Sequence, residues 1–292
     1  MSERPDLIVV GDVMVDVSVD AGALATGGDV HGEVRVRPGG AAANAAVWAA
    51  CEGARVHLYG RVGNDLPGRF LAEAVTARGV DARLAVDPEA RTGAMLVVRQ
   101  EGDRSMVADR GANAHLSPHD LPERLEAGAV LVSGYLLFHP GSEPAAVAAL
   151  ERAVAPLVAV DAASWPLLRA YGVDRFFEAT AAANVLLAND HEAEVLEVGG
   201  RVTPQKRFRY ICRKRGAEGA MLASKGKPPI TWSDPIDRPV DPTGAGDAFD
   251  GVLLAALAAG ATDEEALRRA CGAGRAVAMS AEIWPAVGER RP

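Results

Sequence analysis

Asp241-Pro242-Thr243-Gly244-Ala245-Gly246-Asp247-Ala248-Phe249 is the stretch that decides how this chain is read. It runs directly into the apolar, alanine-rich residues Gly251 to Ala259, a pattern that predicts a helix opening at the glycines. Small residues leave the backbone N–H groups of Gly244, Ala245 and Gly246 bare at the positive end of that helix. Such a mouth cradles an anion, with phosphate as its natural occupant. Asp247 falls in the first helical turn, where the dipole favours an ionised carboxylate. A carboxylate beside a phosphate can take a hydroxyl proton while the oxygen attacks phosphorus. The plainer alternative is a glycine turn whose Asp only caps the helix.

Outward from this string, short apolar runs recur between alanine-rich segments: Leu7 to Val10, Val56 to Tyr59, Ala129 to Val132, Leu157 to Val160 and Val185 to Ala188. They are apolar on both faces, as in strands of a parallel sheet covered by helices on either side. Ser117-Pro118 and Thr262 with Glu265 open helices, and Gly53 and Gly260 close them. Residues 12–37 and 91–111 break the rhythm with weak β patterns at Thr92 to Arg99 and Ser105 to Arg110. They are expected to form a small, separate β lid, the alternative being ordinary surface loops.

The 292 residues suit one large α/β domain at ~100–200 residues per domain. A net charge of −8 disfavours nucleic acid as the main partner. No apolar run is long enough for a bilayer span and no leader precedes residue 20, so a cytoplasmic, non-membrane location is expected. Cys51, Cys212 and Cys271 are far apart and unpaired by motif, which suggests buried thiols. The segment Gly200 to Gly216 is strongly basic, more in the manner of a solvated face than of a phosphate site.

Three further clusters carry chemistry. Pro38-Gly39-Gly40-Ala41-Ala42-Ala43-Asn44 opens an apolar helix in which Asn44 needs a polar partner such as a sugar hydroxyl. Asp12 and Asp16 share one face of an extended chain and can bind hydroxyls. Asn189-Asp190-His191-Glu192 follows a strand, where carboxylates can hold Mg²⁺ through its waters. A solvated acidic helix start would look the same. P-loop, dinucleotide-binding, zinc-protease and nucleophile-elbow strings are all missing.

From about residue 6 to about residue 280 the chain resembles the ribokinase-like, or PfkB, carbohydrate kinases. Residues 241–249 are similar to that family's C-terminal signature, and residues 38–44 with 56–65 to its N-terminal one. The resemblance implies a doubly wound, mainly parallel ribokinase-like sheet in a single domain over 1–292, with lid insertions at about 12–37 and 91–111. It makes Asp247 the catalytic base and Gly244, Ala245 and Gly246 the hole for the transferring phosphate. It places Asp16, Gly39, Gly40 and Asn44 around the sugar, Asn189 near the nucleotide, and Glu192 on the magnesium shell. Lys214, Gly216 and Gly219 match a nucleotide-wrapping turn, although Lys214 and Arg215 stand where Thr and Leu are usual. Val252 replaces a frequent small residue, and Met14 and Ala41 stand where ribose-specific members carry Asn and Lys.

Arg110 lies in a segment that returns from the lid toward substrate, and either meets an acidic or phosphorylated sugar or forms a surface ion pair. ATP and Mg²⁺ are the implied cofactors, and a K⁺ ion beside Asp241 is known in relatives. The expected activity is ATP-dependent phosphorylation of a hydroxyl on a carbohydrate or sugar acid. A nucleoside kinase of the same family and a sugar-binding regulator without chemistry are the alternatives. Unpaired lid edges favour a homodimer.

Overall fold

The computed structural model describes residues 4–21, 26–100, 103–198, 207–235 and 239–289. The chain begins with β1 (Leu7–Val10), β2 (Met14–Asp20), β3 (Glu33–Gly39), α1 (Ala41–Cys51), β4 (Val56–Gly63), α2 (Leu66–Thr76) and β5 (Val80–Asp87). The hairpin β6 (Gly93–Gln100) and β7 (Asp103–Asp109) follows, then β8 (Leu125–Glu126), β9 (Ala129–Ser133), α3 (Glu143–Glu151) and β10 (Ala153–Val154). Next come β11 (Leu157–Asp161), α4 (Trp165–Tyr171), α5 (Val173–Ala179), β12 (Val185–Asn189) and α6 (Asp190–Val195). The chain closes with β13 (Tyr210–Lys214), β14 (Ala220–Ser224), β15 (Ile230–Trp232), α7 (Ala245–Ala258) and α8 (Asp263–Ala278).

Nine strands form the main sheet in the order β15-β14-β13-β12-β11-β9-β1-β4-β5. From β13 to β5 every pairing is parallel, and β14 and β15 add an antiparallel edge. The all-apolar strands are explained by two cores. Leu7, Val9, Ala129 and Leu131 face the layer of α1, α7 and α8, while Ile8, Val10, Val130 and Val132 face the opposite layer. Burial on both faces removes the alternation a half-exposed strand would show. The expected β runs all became strands of this sheet.

The two irregular stretches form a second sheet, ordered β3-β2-β6-β7. β2 pairs antiparallel with β3 and parallel with β6, and β6 pairs antiparallel with β7. Residues 22–25 and 101–102 of these stretches, and 200–206 of the basic segment, lie outside the described residues. The Ser117-Pro118 signal opens one 3₁₀ turn, Pro118–Asp120, instead of a longer helix. Thr262 caps α8 by accepting from the Glu265 N–H. All three cysteines are buried, and no disulfide joins them.

Strand order reverses around β1, which has β4 on one side and β9 on the other. In doubly wound sheets that reversal opens a crevice at the carboxyl ends of the strands. Helix α1, mostly alanine, and α7 pack against each other on one face of the sheet. The approach is so close that a Cβ on Gly251 would lie 2.1 Å from the Ala45 carbonyl oxygen. Gly251→Ala is therefore expected to force the helices apart and cost about 1–3 kcal/mol. Equilibrium urea unfolding checks this, and an unchanged midpoint would refute the close packing.

Candidate active site

Helix α7 begins with Gly244 as N-cap in the left-handed region (φ 80). The helical ladder starts when the Ala248 N–H donates to the Gly244 carbonyl at 3.0 Å. The N–H groups before it have no carbonyl one turn back within the helix. That of Ala245 turns aside to the Pro242 carbonyl at 3.1 Å, so one of the three amides assigned to the hole is already engaged.

Asp247 sits in the first turn, against α1. Its Oδ2 accepts a hydrogen bond from Asn44 Nδ2 at 2.8 Å. Burial raises its pKa to about 7, with Asn44 pulling it down and the Asp161 carboxylate pushing it further up. The dipole alone does not keep it ionised as the sequence suggested: burial outweighs it.

Lys214, at the end of β13, reaches into the same floor. Its Nζ donates to Asp250 at 2.7 Å and to Asp161 at 2.9 Å. Burial works against its charge, but these two carboxylates outweigh burial and hold its pKa well above the usual lysine value. The ammonium lies 3.6 Å from where a Gly246 Cβ would stand, beside the expected phosphate hole. Lys214, Gly216, Gly219, Gly246 and Phe249 help line an open cleft of about 690 Å³ between the β13–β14 turn, α7 and α8. Gly216 starts the 3₁₀ turn Gly216–Glu218, closed by the Arg215 N–H donating to the Gly219 carbonyl at 2.8 Å.

At the end of β12, Asn189 and Glu192 form a reciprocal capping box. Glu192 Oε2 accepts from the Asn189 N–H at 2.8 Å, and Oε1 accepts from Asn189 Nδ2 at 2.6 Å. Burial and Asp161 raise the Glu192 pKa to about 7. Asn189 and Glu192 therefore stand together, near Lys214.

On the other side lies the second sheet. Burial raises the Asp16 pKa to about 6, opposed by Arg37 and reinforced by Asp241. Gly39, the last residue of β3, is packed so tightly on the Asp16 carboxylate that a Cβ there would come within 2.3 Å of Oδ2. Gly40 is the N-cap of α1, and Asn44 lies one turn on. Asp12 does not share a free face with Asp16. Its Oδ1 accepts from Arg110 Nη2 at 2.7 Å, so Arg110 forms an ion pair that is largely buried, not one on the surface. Arg110 Nη1 also donates to the Tyr135 carbonyl at 2.6 Å, and its buried Nε has no partner among the described residues. Asp241 Oδ1 accepts from the Thr243 N–H at 3.0 Å.

The described part of the basic segment is engaged locally. Arg207 donates to the Phe177 carbonyl and Thr180 Oγ1, and Arg213 pairs with Asp190. Asp161, Asp250 and Trp284 escaped the sequence reading. The first two are ordinary acids whose partner, Lys214, is 53 and 36 residues away. Trp284 donates from Nε1 to Asn44 Oδ1 at 2.6 Å.

A doubly wound sheet with a buried carboxylate at a helix mouth and a separate β layer is an architecture found among phosphotransferases that act on an alcohol group, and the family match places the chain in that class. The chain belongs to the pfkB family of carbohydrate kinases, whose profile matches residues 4–282. It is similar to ribokinase of Bacillus subtilis (strain 168), 29% identical over 277 residues, covering 90% of this chain and 89% of that protein. Among solved structures, adenosine kinase from Sinorhizobium meliloti superposes with a TM-score of 0.84 at 20% identity, covering 98% and 97% of the two chains. Arabidopsis thaliana ribokinase complexed with ribose and ATP superposes with a TM-score of 0.73 at 23% identity, covering 98% and 97%. Both show the same fold. No described helix is long and apolar enough to cross a membrane.

Folded Asp247 holds its proton to about pH 7, whereas the unfolded chain releases it near 3.8. The fold binds the extra proton, so this group's stabilisation is full below 3.8 and is lost as pH rises to about 7. Asp247→Asn keeps a neutral acceptor for Asn44. Calorimetry should find its Tm near wild type at about pH 4 and above wild type at about pH 8. A difference that ignores pH would refute the assignment.

Proposed function

We propose that this protein transfers the γ-phosphoryl group of ATP to a hydroxyl of a carbohydrate or sugar-acid acceptor, with Asp247 as the general base. The observation that carries this reading is the placement of the Asp247 carboxylate, hydrogen-bonded to Asn44, at the mouth of α7. That mouth separates the cleft beside Lys214 and Gly246 from the β layer that bears Asp16.

The nucleotide lies along the 690 Å³ cleft with its phosphates toward the α7 amides. Gly216 and Gly219 turn the backbone around it, and Asn189 stands close by. The amides of Gly244 and Gly246 face the transferring group, with Ala245 contributing its small side. Lys214 brings a fixed positive charge to the same place, where family members usually carry Thr. The acceptor rests between Asp16, Gly39, Gly40 and Asn44, backed by the Asp12–Arg110 pair. Its hydroxyl gives its proton to Asp247 as the new O–P bond forms, and the bond between γ-phosphorus and the bridging oxygen breaks to release ADP. A pKa of about 7 suits a base working near neutrality. The β lid keeps water from competing as acceptor.

Magnesium, when bound with ATP, neutralises phosphate charge. Among the described residues no cluster of three or more metal-ligating side chains stands ready as a cage. Glu192, with both oxygens already accepting from Asn189, fits a role behind the waters of an ion held mainly by phosphates. The loop at Asp241 offers K⁺ one carboxylate, already bonded to Thr243, and no step depends on that ion.

A second copy of this chain is proposed as partner through the lid. Val36, Val17, Leu96 and Val107 stand in register across all four of its strands. Val36, Leu96 and Val107 are exposed, which leaves an apolar row suited to pair with itself about a two-fold axis. Replacing Val36 and Val107 by Glu should convert dimer to monomer in light scattering, whereas a monomeric wild type would exclude the dimer.

Asp247→Ala should lower turnover by ~10²–10⁴ while nucleotide and acceptor still bind. ADP release measured over sugars, sugar acids, sugar phosphates and nucleosides identifies the acceptor. Turnover near wild type in this variant would remove the base, and a wild type inert with every acceptor would favour the regulator reading.

A further inference from the structure

After α8 the chain continues as Ser280-Ala281-Glu282-Ile283-Trp284-Pro285, without helix or strand, yet it is pinned beside the α7 mouth. Trp48 Nε1 of α1 donates to the Ile283 carbonyl at 2.8 Å. Arg78 Nε donates to the Pro285 carbonyl at 3.1 Å, and its guanidinium lies over the Trp284 ring, 5.0 Å from the centroid. The Ile283 side chain packs on Gly244, with Cγ2 2.6 Å from the place a Cβ would occupy.

So held, Trp284 points its indole N–H at Asn44 Oδ1, 2.6 Å away, and Asn44 Nδ2 points at Asp247 Oδ2, 2.8 Å away. The direction of this chain is chemically forced. An indole nitrogen is a donor only, so the amide oxygen must turn toward it and the amide N–H₂ toward the carboxylate. The reversed amide would set an oxygen against the Asp247 carboxylate and leave the buried indole N–H without an acceptor. Asn44, assigned to the sugar from sequence, thus has both ends of its amide bonded within the protein.

We propose that Trp284 is a positioning residue for phosphoryl transfer, locking the Asn44 amide so that it donates to the catalytic base and so tying the C-terminal segment to the reacting centre. This rests on the reading of Asp247 as base. The other groups facing Asp247 are Asp16 on β2, Tyr135 after β9, Asp161 at the end of β11, Lys214 at the end of β13 and Asp250 one turn along α7. Arg78 and Glu282 flank the indole side. Trp284→Phe changes none of them. It removes the N–H and keeps an aromatic ring for packing.

Without the lock, the carboxylate loses its oriented donor and binds its proton more tightly. The acid limb of the single-turnover rate against pH is expected to move up by about one unit in Trp284→Phe, with a loss of about fivefold to tenfold near pH 7. The rate should recover toward wild type above the shifted limb, whereas a merely structural loss would lower it evenly at all pH. Asn44→Ala should move the limb the same way, and adding Trp284→Phe to it should change nothing further.

An unmoved limb in folded Trp284→Phe, or additive effects in the pair, would overturn the proposal. If Trp284→Phe does not fold by circular dichroism, an unmoved limb in Asn44→Ala overturns it alone. Asp247→Asn separates the two readings. Wild-type rates there remove the base itself, whereas an inactive Asp247→Asn alongside unmoved limbs removes only the role of Trp284.

Discussion

The hydrogen bond from Asn44 to Asp247 spans two helices, and it exists only because α1 and α7 touch backbone to backbone at Ala45 and Gly251. An asparagine side chain is short. Any larger residue at Gly251 lifts α1 off α7, and the amide no longer reaches the carboxylate. The alanines of α1 serve the same end. Ala42, Ala43, Ala45, Ala46 and Ala49 are fully buried, so the helix lies flat between the sheet and α7 without bulky side chains to hold it away. Helix propensity and interhelical distance therefore ask for the same residue here.

That contact places an acid in a crowded electrostatic field. Asp161, Asp250, Asp247 and Glu192 gather around a single ammonium, Lys214. Burial makes each negative charge expensive, and Lys214 offsets it by direct contact at Asp161 and Asp250 but only from a distance at Asp247 and Glu192. Asp247 and Glu192 are left to meet burial with hydrogen bonds from asparagine, and both drift to about 7. Asp161 and Asp250 thus anchor Lys214, although burial still pushes the Asp250 carboxyl well above the usual carboxylate value, while Asp247 and Glu192 can exchange a proton near neutrality.

Much of this was legible in the sequence. Glycine-rich stretches preceding apolar helical runs are local signals, and they located α1, α7 and the residues Asn44 and Asp247. Strands buried on both faces announced the parallel sheet through the absence of alternation. Irregular residues 12–37 and 91–111 marked the second sheet through the same rule failing, although the strands of β2 and β3 needed each other to be recognisable. What escaped was pairing across the fold. Nothing in Asp161 or Asp250 reveals that a lysine from β13 lies between them. Asp12 and Arg110 were each seen, but their union joins residues 98 apart. Trp284 carried no signal in the sequence, because its partner is 240 residues earlier.

Of the lid's connections to the main body, the one that leads directly into α1 runs through two adjacent glycines. β3 ends at Gly39 and α1 begins at Ala41, leaving Gly40 alone as the joint. Its φ of 98 lies where an L residue is strained, and a Cβ there would fall 2.4 Å from the Asp12 carbonyl oxygen. Gly39 meanwhile presses on the Asp16 carboxylate from within the lid. Asp16 belongs to the lid sheet, while Asn44, one turn into α1, is held on Asp247 and Trp284. Asp16 on β2 and Asp247 on α7 thus stand on separate layers, joined along this path by Gly40. On this path the spacing between them is set by backbone, since neither Gly39 nor Gly40 has room for a Cβ.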